Sequence, residues 1–88
     1  MQSRSRIEVE DQGTAEDYAL RAILEFNKGF SQVELYATND AVCKLVEAYI
    51  IVKERMGEAV RVVSADIGTA RPRNRNVGYL SVIIERLA

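Results

Sequence analysis

Three arginines in one short stretch are the side chains of this sequence whose type and spacing best suit a ligand. Arg71, Arg73 and Arg75 occur within TARPRNRN (69–76), which contains no acidic residue. The whole chain has 12 basic and 13 acidic residues and a formal net charge of −1, so the cluster is a local positive field. Guanidinium groups suit phosphate oxygens. A phosphate contact and a solvated hairpin tip both remain explanations of the cluster at this point.

Carboxylates are concentrated near the other end of the chain. Residues 8–17 contain no base but hold Glu8, Glu10, Asp11, Glu16 and Asp17. Such a group could hold a metal ion, but its members alternate along a predicted strand and then enter a helix start, which favours dispersed surface charge. The chain has no histidine and a single cysteine, Cys43, which removes the usual zinc ligands and any intrachain disulfide. We therefore predict no metal site and no cofactor.

The same composition argues against an enzyme and against a membrane protein. A nucleophile–base pair needs histidine or an equivalent group, and no Gly-x-x-x-x-Gly-Lys loop is present to hold phosphates. No apolar run approaches the roughly 20 residues that span a bilayer, and the N-terminal MQSRSRIEVE lacks the apolar stretch of a secretory signal. The lone Cys43, which we expect to be inert beside a buried helix stripe, fits an intracellular protein. We expect a cytoplasmic protein with no membrane partner.

Alternating and helical patterns define the first half of the fold. RIEVE (6–10) alternates, with Ile7 and Val9 on one side. Thr14 with Asp17 three residues later predicts a capped helix start, and Gly29 suits a left-handed helix end. The predicted buried stripe of this helix consists of Ala15, Tyr18, Ala19, Ala22, Ile23 and Phe26, widened by Leu20 and Leu24. The next segment, SQVELYA, alternates again and turns inward Val33, Leu35 and Ala37.

A second helix follows, which Asn39 or Asp40 can cap and which Gly57 ends. Its predicted buried stripe contains Val42, Leu45, Val46, Tyr49, Val52 and Met56. Ala48 and Ile51 lie off that stripe, so they form either the edge of the core or a partner-facing patch.

Two strands complete the pattern. AVRVVSADIG changes phase between Val62 and Ala65, which predicts a β-bulge near Val63–Ser64. VGYLSVIIERL is nearly all apolar, which predicts a central strand covered on both sides. The order β-α-β-α-β-β predicts an α+β fold, a two-layer α/β sandwich with both helices on one face of the sheet. We expect one domain over 1–88, with residues 1–5 disordered and a hairpin arm over 69–77.

Four local strings follow one another at near-constant spacing: DYALRAILEFNKG (17–29), SQVELYA (31–37), AVCKLVEAYIIVKERM (41–56) and DIGT (66–69). Together they resemble the Alba family of small archaeal nucleic-acid-binding proteins. The residues that match the family pattern are Tyr18, Asn27, Gly29, Lys44, Val46, Arg55, Ile67 and Gly68. The resemblance covers almost the whole chain.

The resemblance implies a four-stranded mixed sheet with the last strand in an interior position. It also implies a two-fold dimer that binds double-stranded DNA, and often RNA, with both β3–β4 hairpins reaching along the minor groove. Arg71, Arg73 and Arg75 fall on that hairpin arm, and alternate residues of an extended strand would place all three on one side. Arginine also suits the negative potential of the minor groove.

The body of the protein departs from the family pattern. Residues 12–13 replace a lysine pair, and residues 38–40 replace arginines. Lys44 persists from the central patch and is otherwise a solvent-facing helix residue, and Lys28 is a second candidate. Asn39 either bonds a phosphate or caps the second helix.

Three hypotheses follow from these patterns. The first is a homodimer that binds double-stranded DNA or RNA through Arg71, Arg73 and Arg75, with help from Lys44, Asn39 and Lys28. The second is a heterodimer with a basic Alba paralogue, because the body of this chain is acidic. The third is a protein-interaction module that has lost nucleic-acid binding. We favour the first.

Overall fold

The computed structural model describes residues 4–87, so the disorder expected for residues 1–3 lies outside the described residues. The chain forms, in order, strand β1 (Arg4–Glu8), helix α1 (Ala15–Asn27), strand β2 (Gln32–Thr38), helix α2 (Val42–Met56), strand β3 (Val60–Ala70) and strand β4 (Val77–Arg86). Short 3₁₀ turns occur at Asn39–Ala41, Gly57–Ala59 and Pro72–Asn74. The predicted order β-α-β-α-β-β is confirmed. Neither described helix is long and apolar enough to cross a membrane.

The sheet has four strands in the order β1-β2-β4-β3. β1 pairs parallel with β2, while β4 pairs antiparallel with both β2 and β3, so the sheet is mixed and β4 is interior, as expected. Alternate strand residues pack with both helices in one core, which includes Ile7, Val33, Leu35, Val82 and Ile84. The other side of the sheet, which we call the open face, has no described helix over it.

Local sequence signals set the ends of α1. The Thr14 hydroxyl accepts a hydrogen bond from the Asp17 amide at 3.1 Å, and the Asp17 carboxylate accepts one from the Thr14 amide at 3.5 Å. At the other end, Gly29 has φ +110°, and the amides of Gly29 and Phe30 donate to the carbonyls of Phe26 and Glu25. This is a Schellman arrangement, in which the absence of a Cβ permits the left-handed residue. Both predicted ends are confirmed.

The predicted width of the helix stripes is partly wrong. Leu20 and Leu24 are 40% and 55% exposed, because at 100° per residue they lie opposite the stripe that packs on the sheet. On α2, Val46 is 41% exposed, whereas Ala48 is fully buried. Ala48 lies on the side of α2 that also carries Lys44, whose ammonium contacts the chain just before α1. That side therefore faces α1, which makes Ala48 part of the core.

The strand predictions have mixed outcomes. The β-bulge is confirmed, since the β3–β4 register shifts between Val62 and Ser64. β4 is central, but the prediction that both its sides are covered is wrong: Val82 and Ile84 are buried beneath the helices, whereas Tyr79, on the open face, is only half-buried. The helices cover one side alone, and the apolar composition of β4 does not distinguish one covered side from two.

Two predictions about chain ends and caps also fail. β1 begins at Arg4, so the expected disorder does not extend to Arg4 and Ser5, which pair with β2. The Ser5 hydroxyl also donates to Glu25 at 2.8 Å and ties the strand to α1. Neither Asn39 nor Asp40 caps α2, because both belong to the 3₁₀ turn before it and Ala41 is the cap residue without a side-chain bond.

Candidate nucleic-acid interface

The last two strands project beyond the rest of the sheet. The final β2–β4 pair is Thr38 with Tyr79, whereas β3 and β4 remain paired through Thr69–Gly78 and Ala70–Val77. Because β1, β2 and β3 run in the same direction, their C-terminal ends lie at the same end of the sheet, which we call the loop end. The arm (residues 69–77) therefore extends outward from the loop end.

The tip of the arm, Arg71–Asn76, is a turn and not an extended strand. Pro72 begins a 3₁₀ turn, and Arg73 and Asn74 have φ +55° and +62°. The prediction that strand alternation places three arginines on one side is therefore wrong. Proline has no amide hydrogen for ladder pairing, and the two left-handed residues reverse the chain instead.

The three arginine side chains of the tip have no partner in the part of the chain that the structure describes. Arg71, Arg73 and Arg75 are exposed, and within residues 4–87 their guanidinium groups make no hydrogen bond or ion pair. Each group therefore keeps its donors available for an external anion. No carboxylate of the described chain neutralises the tip.

Lys44 also lies at the loop end but is already bonded. Its ammonium donates to the backbone carbonyl of Asp11 and to that of Gly13, the latter at 2.7 Å. These bonds hold the β1–α1 loop against the start of α2. Two of the three N–H donors of Lys44 are therefore used within the chain, and its role in the structure is to position a loop.

Asn39 shares the loop end with several carboxylates. It is exposed, has φ +55°, and borders a shallow cleft whose lining includes Glu10, Asp11 and Asp40. These acids repel phosphate, so the surroundings of Asn39 disfavour the phosphate contact considered from the sequence. Within residues 4–87, no group of three or more histidine, cysteine or acidic side chains is arranged to hold a metal ion.

Lys28 lies at the opposite end of the molecule. It follows α1, which runs back along the sheet, and its ammonium pairs with Glu25 at 3.0 Å. Hydrogen bonds from Ser5 and from Lys28 lower the pKa of the Glu25 carboxyl. The structure thus brings the arm, Lys44 and Asn39 to one end but separates Lys28 from them.

A second basic group was missed in the sequence. Arg6, Arg21 and Lys28 line one groove between the edge strand β1 and α1, together with the exposed Leu24. Arg6 is distant in the sequence from the other two and meets them only because α1 packs beside β1. The available signal was the spacing of Arg21 and Lys28, which are seven residues apart in α1 and its C-cap.

The open face of the sheet carries a row of side chains that was also missed. The Arg6 guanidinium lies 4.4 Å from the centre of the Tyr36 ring, and the ring centres of Tyr36 and Tyr79 are 5.6 Å apart. The Tyr79 hydroxyl donates to Asp66 at 2.9 Å, and this bond raises the pKa of Tyr79. The four residues come from four different strands, so only the strand order brings them together.

Four exposed apolar side chains lie on the helix side of the molecule, away from α1. They are Val46 and Ile50 on α2, 41% and 47% exposed, and Val62 and Ile67 on β3, 39% and 79% exposed. Helical spacing puts Val46 and Ile50 on the side of α2 opposite Lys44, which faces the β1–α1 loop. We call these four residues the α2–β3 surface.

Comparison with known proteins identifies the family of this chain. The family model described as Alba matches residues 6–69. Over 72 residues the chain is 31% identical to a protein of Saccharolobus solfataricus named DNA/RNA-binding protein Alba 2, with 82% of this chain and 81% of that relative covered. This chain belongs to the Alba family. A relative of the same name from Saccharolobus shibatae is 28% identical over the same shares of both chains.

Solved structures share the fold. Alba from Thermoplasma volcanium has a TM-score of 0.78 at 17% identity, covering 93% of this chain and 100% of that one. ALBA1 from Trypanosoma brucei has a TM-score of 0.81 at 15% identity, covering 98% of this chain and 72% of that one. The Alba family match ends at Thr69, so the arm tip lies beyond it.

Proposed function

We propose that this Alba-family protein binds nucleic acid through the arm, as a homodimer and largely without regard to sequence. Double-stranded DNA is the proposed ligand, with RNA as a second. The observation that carries the proposal is the tip, where Arg71, Arg73 and Arg75 are exposed and unpaired on a hairpin that projects from the body. The names of the relatives, DNA/RNA-binding protein Alba 2, support the ligand class. Such a ligand would associate the protein with the chromosome or with RNA in the cytoplasm.

The charge of the loop end restricts the contact to the arm. Glu10, Asp11 and Asp40 surround the body beside the arm, and Lys44 is bonded to carbonyls. Phosphates approaching the body would therefore meet repulsion. With about three phosphate contacts per arm and two arms, the slope of log K against log salt is expected to be at most about −5. Contacts with phosphates alone do not read base sequence, so binding is expected to be directed by shape.

The α2–β3 surface is the proposed site of homodimer formation. Ile67 and Ile50 are large apolar side chains that one copy alone leaves 79% and 47% exposed. A second copy would cover them by hydrophobic burial, while both arms stay outside the contact. Light scattering after size-exclusion chromatography tests this directly: twice the mass of the chain is expected, and a mass equal to one chain would exclude the homodimer.

A gel-shift titration at low salt tests the role of the arm. The variant R71A/R73A/R75A is expected to lose duplex binding. The matched control is R21A/R55A/R61A, which removes the same charge from exposed arginines outside the arm. If both variants lose the same affinity for the duplex, the arm contributes only through the overall charge of the protein. If the arm variant keeps the full affinity, the arm is not the contact.

The acidic loop end favours one further arrangement, a heterodimer with a basic Alba paralogue that loosens or re-spaces nucleoprotein. In that case the paralogue supplies the positive charge that this chain, with Asp11 and Asp40 at its loop end, lacks. Native mass spectrometry of the mixed proteins should then detect mixed dimers, and homodimers alone would reject this arrangement. If the wild-type protein binds neither duplex DNA, single-stranded DNA nor RNA at low salt, the function is instead that of a protein-interaction module.

A further inference from the structure

We propose that Tyr79 is a stacking platform for an unpaired base of a single-stranded nucleic acid. The platform lies on the open face at the base of the arm. The proposal rests on the proposed nucleic-acid binding, and it adds a site that recognises the flat face of a base instead of a phosphate.

The Tyr79 ring is held down on the sheet by two residues of β3. Gly68 is its direct partner across the β3–β4 pair, and a Cβ atom at Gly68 would lie 2.9 Å from the ring carbon Cε2 and from the hydroxyl of Tyr79. The ring therefore occupies the space that a side chain at this position would fill. The hydroxyl donates to Asp66 at 2.9 Å and fixes the far edge of the ring. A ring fixed in this way loses little conformational freedom when a base stacks on it.

The neighbours of Tyr79 extend the flat surface. Tyr36 lies beside it at 5.6 Å between ring centres, with 30° between the ring planes. The Arg6 guanidinium lies over Tyr36 at 4.4 Å and occupies that ring. Tyr79 is thus the ring of the row whose outer face remains available among residues 4–87. Aromatic rings and guanidinium planes on a four-stranded sheet are suitable surfaces for unpaired bases.

The position of Tyr79 relative to the arm determines which nucleic acid it can bind. Tyr79 is two residues from Val77, the first residue after the tip, so the ring is roughly 7 Å along the strand from the end of the tip. A single strand with its phosphates on Arg71 and Arg75 can therefore place a base on the ring. The bases of a duplex are stacked inside and cannot reach it. Asp66 and Glu34 on the same face disfavour phosphates over the sheet, which leaves the base as the matching group.

Binding titrations with four labelled oligonucleotides of equal length test the platform: single-stranded RNA, single-stranded DNA, a single strand with abasic sites, and duplex DNA. Tyr79→Leu is expected to weaken binding of both base-containing single strands by about tenfold, the effect typical of one stacked base. It should leave the affinity for the abasic strand and the duplex unchanged. Tyr79→Phe keeps the ring and should restore most of the single-strand affinity relative to Tyr79→Leu.

A second variant and a second readout cover the case in which Tyr79→Leu disturbs the fold. Gly68→Ala keeps Tyr79 but displaces its ring, and it should also weaken the single strands selectively. The chain has no tryptophan, so tyrosine fluorescence reports on the rings directly. Stacking should quench part of the emission of the wild-type protein, and Tyr79→Phe should lack that part.

The outcomes separate this proposal from the proposed function. Equal effects of Tyr79→Leu on the base-containing and abasic strands, or no effect on either, would overturn the platform while duplex binding through the arm stands. A loss confined to RNA or to DNA would indicate a sugar contact and would also overturn base stacking. If the wild-type protein binds none of the four oligonucleotides, both the platform and the proposed function fail.

Discussion

The arm and the body lie side by side at the loop end of the sheet, but the arm attracts a polyanion and the body repels it. The guanidinium groups of Arg71, Arg73 and Arg75 have no partner among residues 4–87, whereas the ammonium of Lys44 is bonded to the carbonyls of Asp11 and Gly13. The formal charge of a residue is therefore a poor guide to its role. The two regions differ in how many donors of each cation are already used within the described chain: two of the three on Lys44, and none on the three arginines.

The largest effect is expected from a substitution that dissociates the dimer and so leaves each chain with one arm. Ile67→Glu places a charge on the most exposed residue of the α2–β3 surface and should convert the dimer to single chains. Each chain then binds with one arm, so duplex affinity should fall by about a hundredfold through loss of bivalency. Light scattering and gel shift measure both changes. Ile67→Val is the matched control and should keep the dimer, and a monomeric Ile67→Glu with unchanged affinity would contradict the two-arm account.

Reversing the charge of an acidic residue at the loop end should make this part of the body attract phosphates, as the arm does. Asp40→Arg should tighten duplex binding by about tenfold at low salt and steepen the salt slope by about 2, because a dimer gains two contacts. Glu58→Arg changes the net charge equally but lies beyond α2, away from the loop end. Fluorescence anisotropy across a salt series checks both variants. If Glu58→Arg tightens binding as much as Asp40→Arg, the contact does not depend on position.

Removing the bonded lysine should affect stability more than binding. Lys44→Met breaks the bonds to the carbonyls of Asp11 and Gly13, which should lower the free energy of unfolding by about 1 kcal/mol. Duplex affinity should change by less than about twofold, since phosphate contacts are assigned to the arm. Urea unfolding and gel shift provide the two values. A large loss of duplex affinity with an unchanged free energy of unfolding would show that Lys44 contacts the nucleic acid.

The sequence predicted the elements well because their signals are local. Thr14 with Asp17, Gly29 and Gly57 each fix a helix end within a few residues, and alternation identified the inward side of β2. It failed where the answer depends on distant residues. Lys44 meets carbonyls about thirty positions earlier in the chain, so its spacing along α2 did not indicate that it is bonded.

The candidate site was predictable only in part for the same reason. The three arginines stand together in the sequence, but Pro72 and the left-handed Arg73 make their segment a turn, which alternation does not anticipate. The row from Arg6 through Tyr36 and Tyr79 requires the order β1-β2-β4-β3. The family resemblance implied only that the last strand is interior, and the sequence pattern gave no strand order.

The smallest expected effect concerns the end of the molecule opposite the arm. The Ser5 and Lys28 bonds lower the pKa of Glu25 below 4.5, so they stabilise the fold above that pH, and the contribution is lost as pH falls through the folded-state pKa. Ser5→Ala should therefore be less stable than the wild type near neutral pH, with the difference shrinking in acid. Thermal melts across the acid range measure it. The control is Ser5→Ala on a Glu25→Gln background, where a difference that still shrinks in acid would contradict this assignment.

The central claim is that duplex affinity comes from the unpaired arginines of the arm, and its most direct test is the salt dependence of binding. Titrations of one duplex at several salt concentrations should give the wild type a slope of about −5, whereas R71A/R73A/R75A should show no measurable binding even at the lowest salt, because the arms hold the phosphate contacts. An arm variant that keeps both the slope and the affinity of the wild type would contradict the account.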